Sequence, residues 1–203
     1  LVNIGADKIC GMFKGSDERL FGSDPERGDV VVFRHPVTGQ DFVKRLIGLP
    51  GDRIQMKEGL LYINDVAVVV EDAEPFVETM EGQGPQGGRP SCINGVVGDG
   101  ADCIKERPIE TLPNGVRHSI LNAGDRPQDN TQVFVVPQDE FFFMGDNRDN
   151  STDSRFPQSS GGVGFVERKD LLGRADRVVF SSAGRSMLYF WTWRSDRFLK
   201  ALD

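Results

Sequence analysis

Asp41-Phe42-Val43-Lys44-Arg45-Leu46-Ile47 runs directly into Gly48-Leu49-Pro50-Gly51-Asp52. Alternate residues of a strand share a face. The first seven residues therefore set Phe42, Lys44 and Leu46 on one side and Val43, Arg45 and Ile47 on the other. Pro50 presets its own φ, and Gly51 tolerates the positive φ of a third turn position, so a type II turn is expected to end the strand. The lysine is the oddity. Most lysines are solvated or paired with a carboxylate. One held on an apolar face loses hydration of its ammonium, so its pKa falls and the amine becomes a candidate general base.

Strand signals continue outward from this segment. Val30-Val-Val-Phe33 precedes it and stops at His35-Pro36, and Thr38-Gly39-Gln40 makes the turn between the two strands. Leu60 to Ile63 and Val66 to Val70 read as a hairpin around Asn64-Asp65. From Glu71 to about Asn130 the composition shifts to acidic residues, few apolar runs and Gly82-Gln-Gly-Pro-Gln-Gly-Gly88, the mark of an insertion. Strands resume at Val133 to Val136 and Phe141 to Met144, with Val163 to Val166 and Ala175 to Phe180 as closing strands. The class is mainly β, with two core blocks separated by the insertion.

The bulk properties agree. Of 203 residues, 27% are charged and 38% apolar, enough for a soluble core, and 24 glycines with 11 prolines favour turns and short strands over long helices. The formal charge of −7, with no block of lysine or arginine, excludes a nucleic-acid footprint. No run approaches the ~20 apolar residues of a membrane-spanning helix. Near the start, Lys14 to Arg19 and Gly22 to Gly28 read as loops, and Leu1 is not an initiator methionine, so preceding sequence is expected. Cys92 and Cys103 bracket a Gly- and Asp-rich loop; they could form a disulfide or remain free thiols, and Cys10 is left over. His35 and His118 lie far apart, so no metal is expected.

Gly145-Asp-Asn-Arg-Asp-Asn-Ser-Thr-Asp-Ser-Arg155 packs three aspartates, two asparagines, two arginines and two serines into eleven residues after an apolar strand. Asp146, Asp149 and Asp153 lack the glycine and terminal glutamate of a calcium loop. A hydrogen-bonded site and a structural turn with Asp–Arg pairs both fit.

Three segments together carry a resemblance: Arg27-Gly-Asp-Val-Val-Val-Phe-Arg34, Phe42-Val-Lys-Arg-Leu-Ile-Gly-Leu-Pro-Gly-Asp52 and Met144-Gly-Asp-Asn-Arg-Asp-Asn-Ser-Thr-Asp-Ser-Arg155. They resemble, in order, the boxes of bacterial type I signal peptidases, Gram-negative type, over most of residues 21 to 180. The resemblance implies a signal-peptidase-like coiled antiparallel β-sheet core from residues 1–60 and 131–185, an inserted β-rich subdomain at 61–130 and a C-terminal aromatic tail at 186–203. It implies a Ser–Lys endopeptidase that removes signal peptides from exported preproteins after Ala-X-Ala, without cofactor, at the periplasmic side of the inner membrane. Lys44 matches the general base and Ser151 the serine that orients it. Arg45, Asp153 and Arg155 match supporting residues, and Phe42 and Val43 match the lining of the substrate pockets. A neutral lysine must avoid direct carboxylate contact, so Asp153 is expected to be neutralised by an arginine.

The family's nucleophile stands in a Ser-Met dipeptide ahead of the first box, with a neighbouring serine for the oxyanion hole. Neither motif precedes Arg27; Ser16 and Ser23 are each followed by Asp. Ser186-Met187 falls after the third box and is not taken as the nucleophile. The chain by itself is therefore expected to be inactive. Pro157 to Gly164 makes a longer exit from the third box than the family's usual continuation. The tail from Leu188 to Phe198, aromatic residues among Arg194 and Arg197, suits either a membrane interface or packing on the core. Two rivals stand beside the peptidase: a self-cleaving repressor-type protease, and a non-catalytic homologue that binds exported segments.

Overall fold

The computed structural model of the protein describes residues 24–82, 87–178 and 200–201. Cys10, Ser16, Ser23, Ser186-Met187 and the aromatic tail from Leu188 to Phe198 lie outside the described residues. The described strands are β1 (Val30–Arg34), β2 (Asp41–Gly48), β3 (Arg53–Lys57), β4 (Leu60–Ile63), β5 (Val66–Ala67), β6 (Val69–Glu71), β7 (Phe76–Thr79), β8 (Asp102–Lys105), β9 (Ile109–Thr111), β10 (Arg117–Ser119), β11 (Phe134–Val135), β12 (Glu140–Met144), β13 (Val166–Glu167), β14 (Leu171–Arg174), β15 (Arg177–Val178) and β16 (Lys200–Ala201). The fold is mainly β, as the alternation in the sequence implies.

A five-stranded antiparallel sheet runs β13-β12-β2-β1-β14. It buries both faces. Val31, Phe33, Leu46, Phe141 and Phe143 enter one core, closed by Val163, Val166 and Leu171. Ile47, Phe142 and Met144 enter the other, shared with Ile54, Met56, Leu61, Ile63 and Leu112. Successive residues of β12 thus alternate between two cores, which explains the unbroken apolar run Phe141 to Met144: a strand covered on both sides has no solvated face to mark. Phe33 and Phe143 stack with ring centroids 4.6 Å apart.

The second core is completed by the four-stranded sheet β11-β3-β4-β5. Leu49-Pro50-Gly51-Asp52 forms the expected turn, with the Asp52 N–H donating to Leu49 O at 3.0 Å and Gly51 at φ 88°. Asp52 then locks the corner. Its carboxylate accepts the Leu49 N–H at 2.7 Å and the Asn64 amide at 2.8 Å, and it pairs with Arg27 at 2.9 Å. Asn64 and Asp65 both carry positive φ (54° and 66°), the signature of a type I′ hairpin.

Residues 69–119, within the segment expected as an insertion, contribute the three-stranded sheet β10-β9-β6 and the pair β7-β8. Cys92 is disulfide-bonded to Cys103. Two strand expectations change. The segment Val133 to Val136 narrows to Phe134–Val135, because the Val136 N–H is taken by the Asp52 carbonyl at 2.8 Å. The closing strands are shifted: Val163 is buried in a glycine loop, its N–H donating to the Asp153 carbonyl, and the strand there starts at Val166; Ala175 to Phe180 holds β15, which pairs with β16, while Leu171–Arg174, whose Gly173 weakens the strand signal, closes the sheet on β1. Residues 179 and 180 lie outside the described residues.

Phe143 touches the core from a strand that cannot move toward either face. Phe143→Ala is expected to destabilise the protein by about 3–5 kcal/mol, whereas Val135→Ala, at an exposed position, should stay within about 0.5 kcal/mol; urea unfolding of both variants measures the contrast.

Candidate active site

Pairing of β2 with β12 brings two distant segments of chain together. The register runs Phe142 with Gly48, then Phe143 with Leu46 and Met144 with Arg45, leaving Ile47 as the bulged residue. One further step sets Gly145 opposite Lys44. On its other side Lys44 faces Val31 of β1. The lysine stem therefore lies at the rim of the Phe33–Phe143 core, on the same face as Phe42 and Leu46.

Lys44 Nζ donates to Ser151 Oγ at 2.9 Å. This closeness depends on Gly145. A Cβ there would lie 2.2 Å from Ser151 Oγ, 2.5 Å from Ser151 Cβ and 3.5 Å from Lys44 Nζ. Burial pushes the Lys44 amine below its ordinary range. Asp153 and, more weakly, Asp146 pull it back up, and Arg155 pushes it down.

The carboxylates nearby all have other partners. Asp153 is wholly buried and accepts from Arg155 Nε and Nη2, each at 2.9 Å, from the Arg155 N–H at 3.1 Å and from the Gly145 N–H at 3.1 Å. Asp146 is gripped by Arg45 through Nε at 2.9 Å and Nη2 at 2.8 Å. Arg45 also reaches the Gly28 carbonyl of the first box at 2.7 Å. Asp149 accepts the Ala123 N–H at 2.6 Å. The three aspartates are bound within this polar network.

The structure thus brings together Lys44, Ser151, Asp153 and Arg155, with Phe42 bordering them; Lys44 Nζ is 5.9 Å from the Phe42 ring centre. Arg45 is beside Lys44 in sequence only, and acts on the opposite face of β2. Val43 is exposed on that opposite face. A cleft of about 340 Å³ borders Ser151, Thr152, Phe156 and Gly161. A larger one, about 900 Å³, shares Phe156 with it but touches neither Lys44 nor Ser151. The long exit loop is held by His35, whose Nε2 donates to the Gly162 carbonyl at 3.0 Å while Nδ1 accepts from the Val37 and Thr38 N–H groups.

Sequence reasoning passed over Gly145 and Glu110. Gly145 sits between a buried strand and a polar loop, which is the available signal. Glu110 alternates with Leu112, a core residue, and that period-2 relation marks a buried acid. Glu110 is fully buried and binds Arg148 with both oxygens, Nη1 at 2.7 Å and Nη2 closer still. His118 Nε2 lies 3.4 Å away. Burial by itself would raise the Glu110 carboxyl; the Arg148 guanidinium and His118 outweigh it and hold it at about 2.

A family profile described as "Signal peptidase, peptidase S26" matches residues 12–180. The Signal peptidase I of Rickettsia typhi (strain ATCC VR-144 / Wilmington) is 39% identical over 180 residues, covering 84% of this chain and 57% of the relative. That of Rickettsia prowazekii (strain Madrid E) is 39% identical over 179 residues, with the same coverage. The chain thus spans just over half the length of the curated relatives it matches. A crystal structure of a signal peptidase I from Enterococcus faecalis V583 aligns with a TM-score of 0.40 at 24% identity, over 75% of this chain and 97% of that one.

Two outcomes follow from the geometry. Gly145→Ala should expel Ser151 from Lys44 and cost about 1–3 kcal/mol by overpacking; a structure of the variant and its unfolding midpoint measure both. The depressed Glu110 carboxyl stabilises the fold above pH 4.5, its unfolded value, and that stability is lost as pH falls toward 2. The slope of unfolding free energy between these limits should flatten in Glu110→Gln.

Proposed function

The chain belongs to the signal peptidase, peptidase S26, family, and from that membership we propose that it is the catalytic β core of a Ser–Lys endopeptidase that removes signal peptides from exported preproteins. The observation that carries the reading is the 2.9 Å contact between a half-buried lysine amine and Ser151. Lys44 is the general base, and Ser151 orients it. With one N–H committed to Ser151 Oγ, the neutral amine directs its lone pair elsewhere. Asp153, held by Arg155, gives the lysine no carboxylate of its own.

In the proposed reaction a serine hydroxyl attacks the scissile carbonyl carbon while Lys44 takes its proton. The C–N bond then breaks and the leaving amine receives that proton from Lys44. Water adds to the acyl-enzyme, again losing a proton to Lys44, which returns it to the departing serine oxygen. The attacking serine is expected in a Ser-Met dipeptide ahead of the first box, and neither Ser16 nor Ser23 fits that pattern. These 203 residues by themselves are therefore expected not to cleave. Phe42 and Val43 are proposed to bound shallow pockets that accept alanine one and three residues before the cut and exclude larger groups by clash. Val43 faces away from Lys44, so its share in a pocket requires substrate to reach both faces of β2.

The setting is proposed to be the periplasmic face of the inner membrane, with exported preproteins and the membrane surface as partners. The Cys92–Cys103 disulfide supports an oxidising compartment. No described helix is long and apolar enough to cross a membrane.

The deciding experiment is cleavage of an Ala-X-Ala preprotein by the full encoded protein in detergent. Lys44→Ala and Lys44→Arg should each lose at least about a thousandfold in kcat/KM, since an arginine stays protonated. Ser151→Ala should lose roughly a hundredfold through misdirection of the amine. The rate should rise with pH through the lowered Lys44 pKa, because only the neutral amine accepts a proton. A folded full-length protein that binds but does not cut would favour the non-catalytic homologue.

A further inference from the structure

The insertion reaches into the polar loop rather than standing apart from it. Its segment 106–123 grips that loop at four places. The Leu121 N–H donates to the Asp146 carbonyl at 2.8 Å, and the Arg148 N–H donates to the Leu121 carbonyl at 3.0 Å. Asp149 accepts the Ala123 N–H. The fourth is the side-chain pair of Glu110 with Arg148. Arg148 continues inward, because its carbonyl accepts Arg155 Nη2 at 2.6 Å. Arg155 holds Asp153, and Asp153 holds the Gly145 N–H. Gly145 is the position against which Ser151 and Lys44 meet.

We propose that Glu110 is a positioning residue for the Lys44–Ser151 pair, acting from the insertion through Arg148, Arg155 and Asp153 to fix the loop that carries Ser151. The inference rests on the reading of Lys44 as the base. Two features favour positioning over a general contribution to stability. A buried ion pair is often no more stabilising than apolar residues of the same volume, whereas its bonds are directional. The loop also has one 3-10 turn, Arg148–Asn150, as its only helical structure. Its shape is set by such bonds.

The groups that act on the Lys44 amine are Asp153, Arg155 and Asp146. Two of these belong to the chain of contacts that begins at Glu110. If the chain slackens, Asp153 is freed toward the amine and water enters beside it. Both changes restore the ammonium.

The test is trace acetylation of the 203-residue chain with acetic anhydride across pH, read by mass spectrometry at Lys44 and at exposed Lys57. In the unaltered chain the Lys44 midpoint should lie below that of Lys57. In Glu110→Gln it should move up toward the Lys57 midpoint, and each unit moved lowers the Lys44 rate at neutral pH about tenfold relative to Lys57. Because Glu110→Gln leaves a buried guanidinium unpaired and can fail to fold, the double variant Glu110→Leu with Arg148→Met is measured beside it. That variant should keep its melting temperature and still show the raised midpoint. A folded variant with the Lys44 midpoint unchanged would overturn the positioning role alone. An ordinary Lys44 midpoint in the unaltered chain would instead overturn the base assignment on which it rests.

Discussion

The pairing of β2 with β12 is the constraint from which the site follows. These strands are about a hundred residues apart in sequence, and Leu46 and Ile47 of β2, like Phe141 to Met144 of β12, enter two cores on opposite faces. Neither can slide by one residue without exchanging its two core sets, because side chains alternate with a period of two. The bulge at Ile47 takes up one residue of β2 and fixes which residue meets the end of β12. With that register set, Gly145 falls opposite Lys44, and the polar loop begins where the lysine emerges from the core. The contact with Ser151 is thus a product of strand registry before it is a product of local chemistry.

Electrostatics poses the opposite problem. A half-buried lysine is pushed toward neutrality, while Asp153 and Asp146, two of the three aspartates in the next loop, would restore its charge. The structure separates these demands by giving each acid its own donors. Two of the three are held by the planar fork of an arginine, which binds both oxygens of a carboxylate at once and cannot be deprotonated. A lysine at either arginine position would supply a single point of contact and leave one oxygen free. The density of Asp and Arg that stands out in the sequence is thus a network in which arginines hold the acids beside Lys44.

What was legible in the sequence was whatever obeys a local rule. The alternation around Lys44, the type II turn at Pro50-Gly51 and the hairpin at Asn64-Asp65 each follow from two to seven neighbouring residues. The three boxes were legible by resemblance, and with them Lys44, Ser151, Asp153 and Arg155, residues that the structure brings together. Less legible was what depends on distant partners. Val136 has the composition of a strand residue but gives its N–H to a turn 84 positions earlier in the chain. Leu171–Arg174 contains a glycine and still closes the sheet, because β1 lacks a neighbour on that side. Gly145 carries no side chain to attract notice, although the space it leaves is what the site requires. Glu110 resembles any solvated acid in the sequence until Arg148 is placed against it.

The larger consequence concerns the insertion. A segment that adds a small sheet to a finished core would be expected to meet it through apolar contact and to tolerate change. Here it meets both boxes that flank β2. Val116 lies so close to Gly28 that a Cβ there would come within 2.7 Å, Asn114 donates to the Arg27 carbonyl, and Leu112 enters the core. On the other side, Glu110, Leu121 and Ala123 engage the polar loop. Arg45 joins the two sides, since one guanidinium binds the Gly28 carbonyl and the Asp146 carboxylate. Apolar packing fixes how deep a segment sits but leaves its direction loose. Hydrogen bonds and ion pairs fix direction at the expense of desolvation. A loop that holds one serine 2.9 Å from one amine needs the second kind of restraint, and segment 106–123 supplies it at Asp146, Arg148 and Asp149.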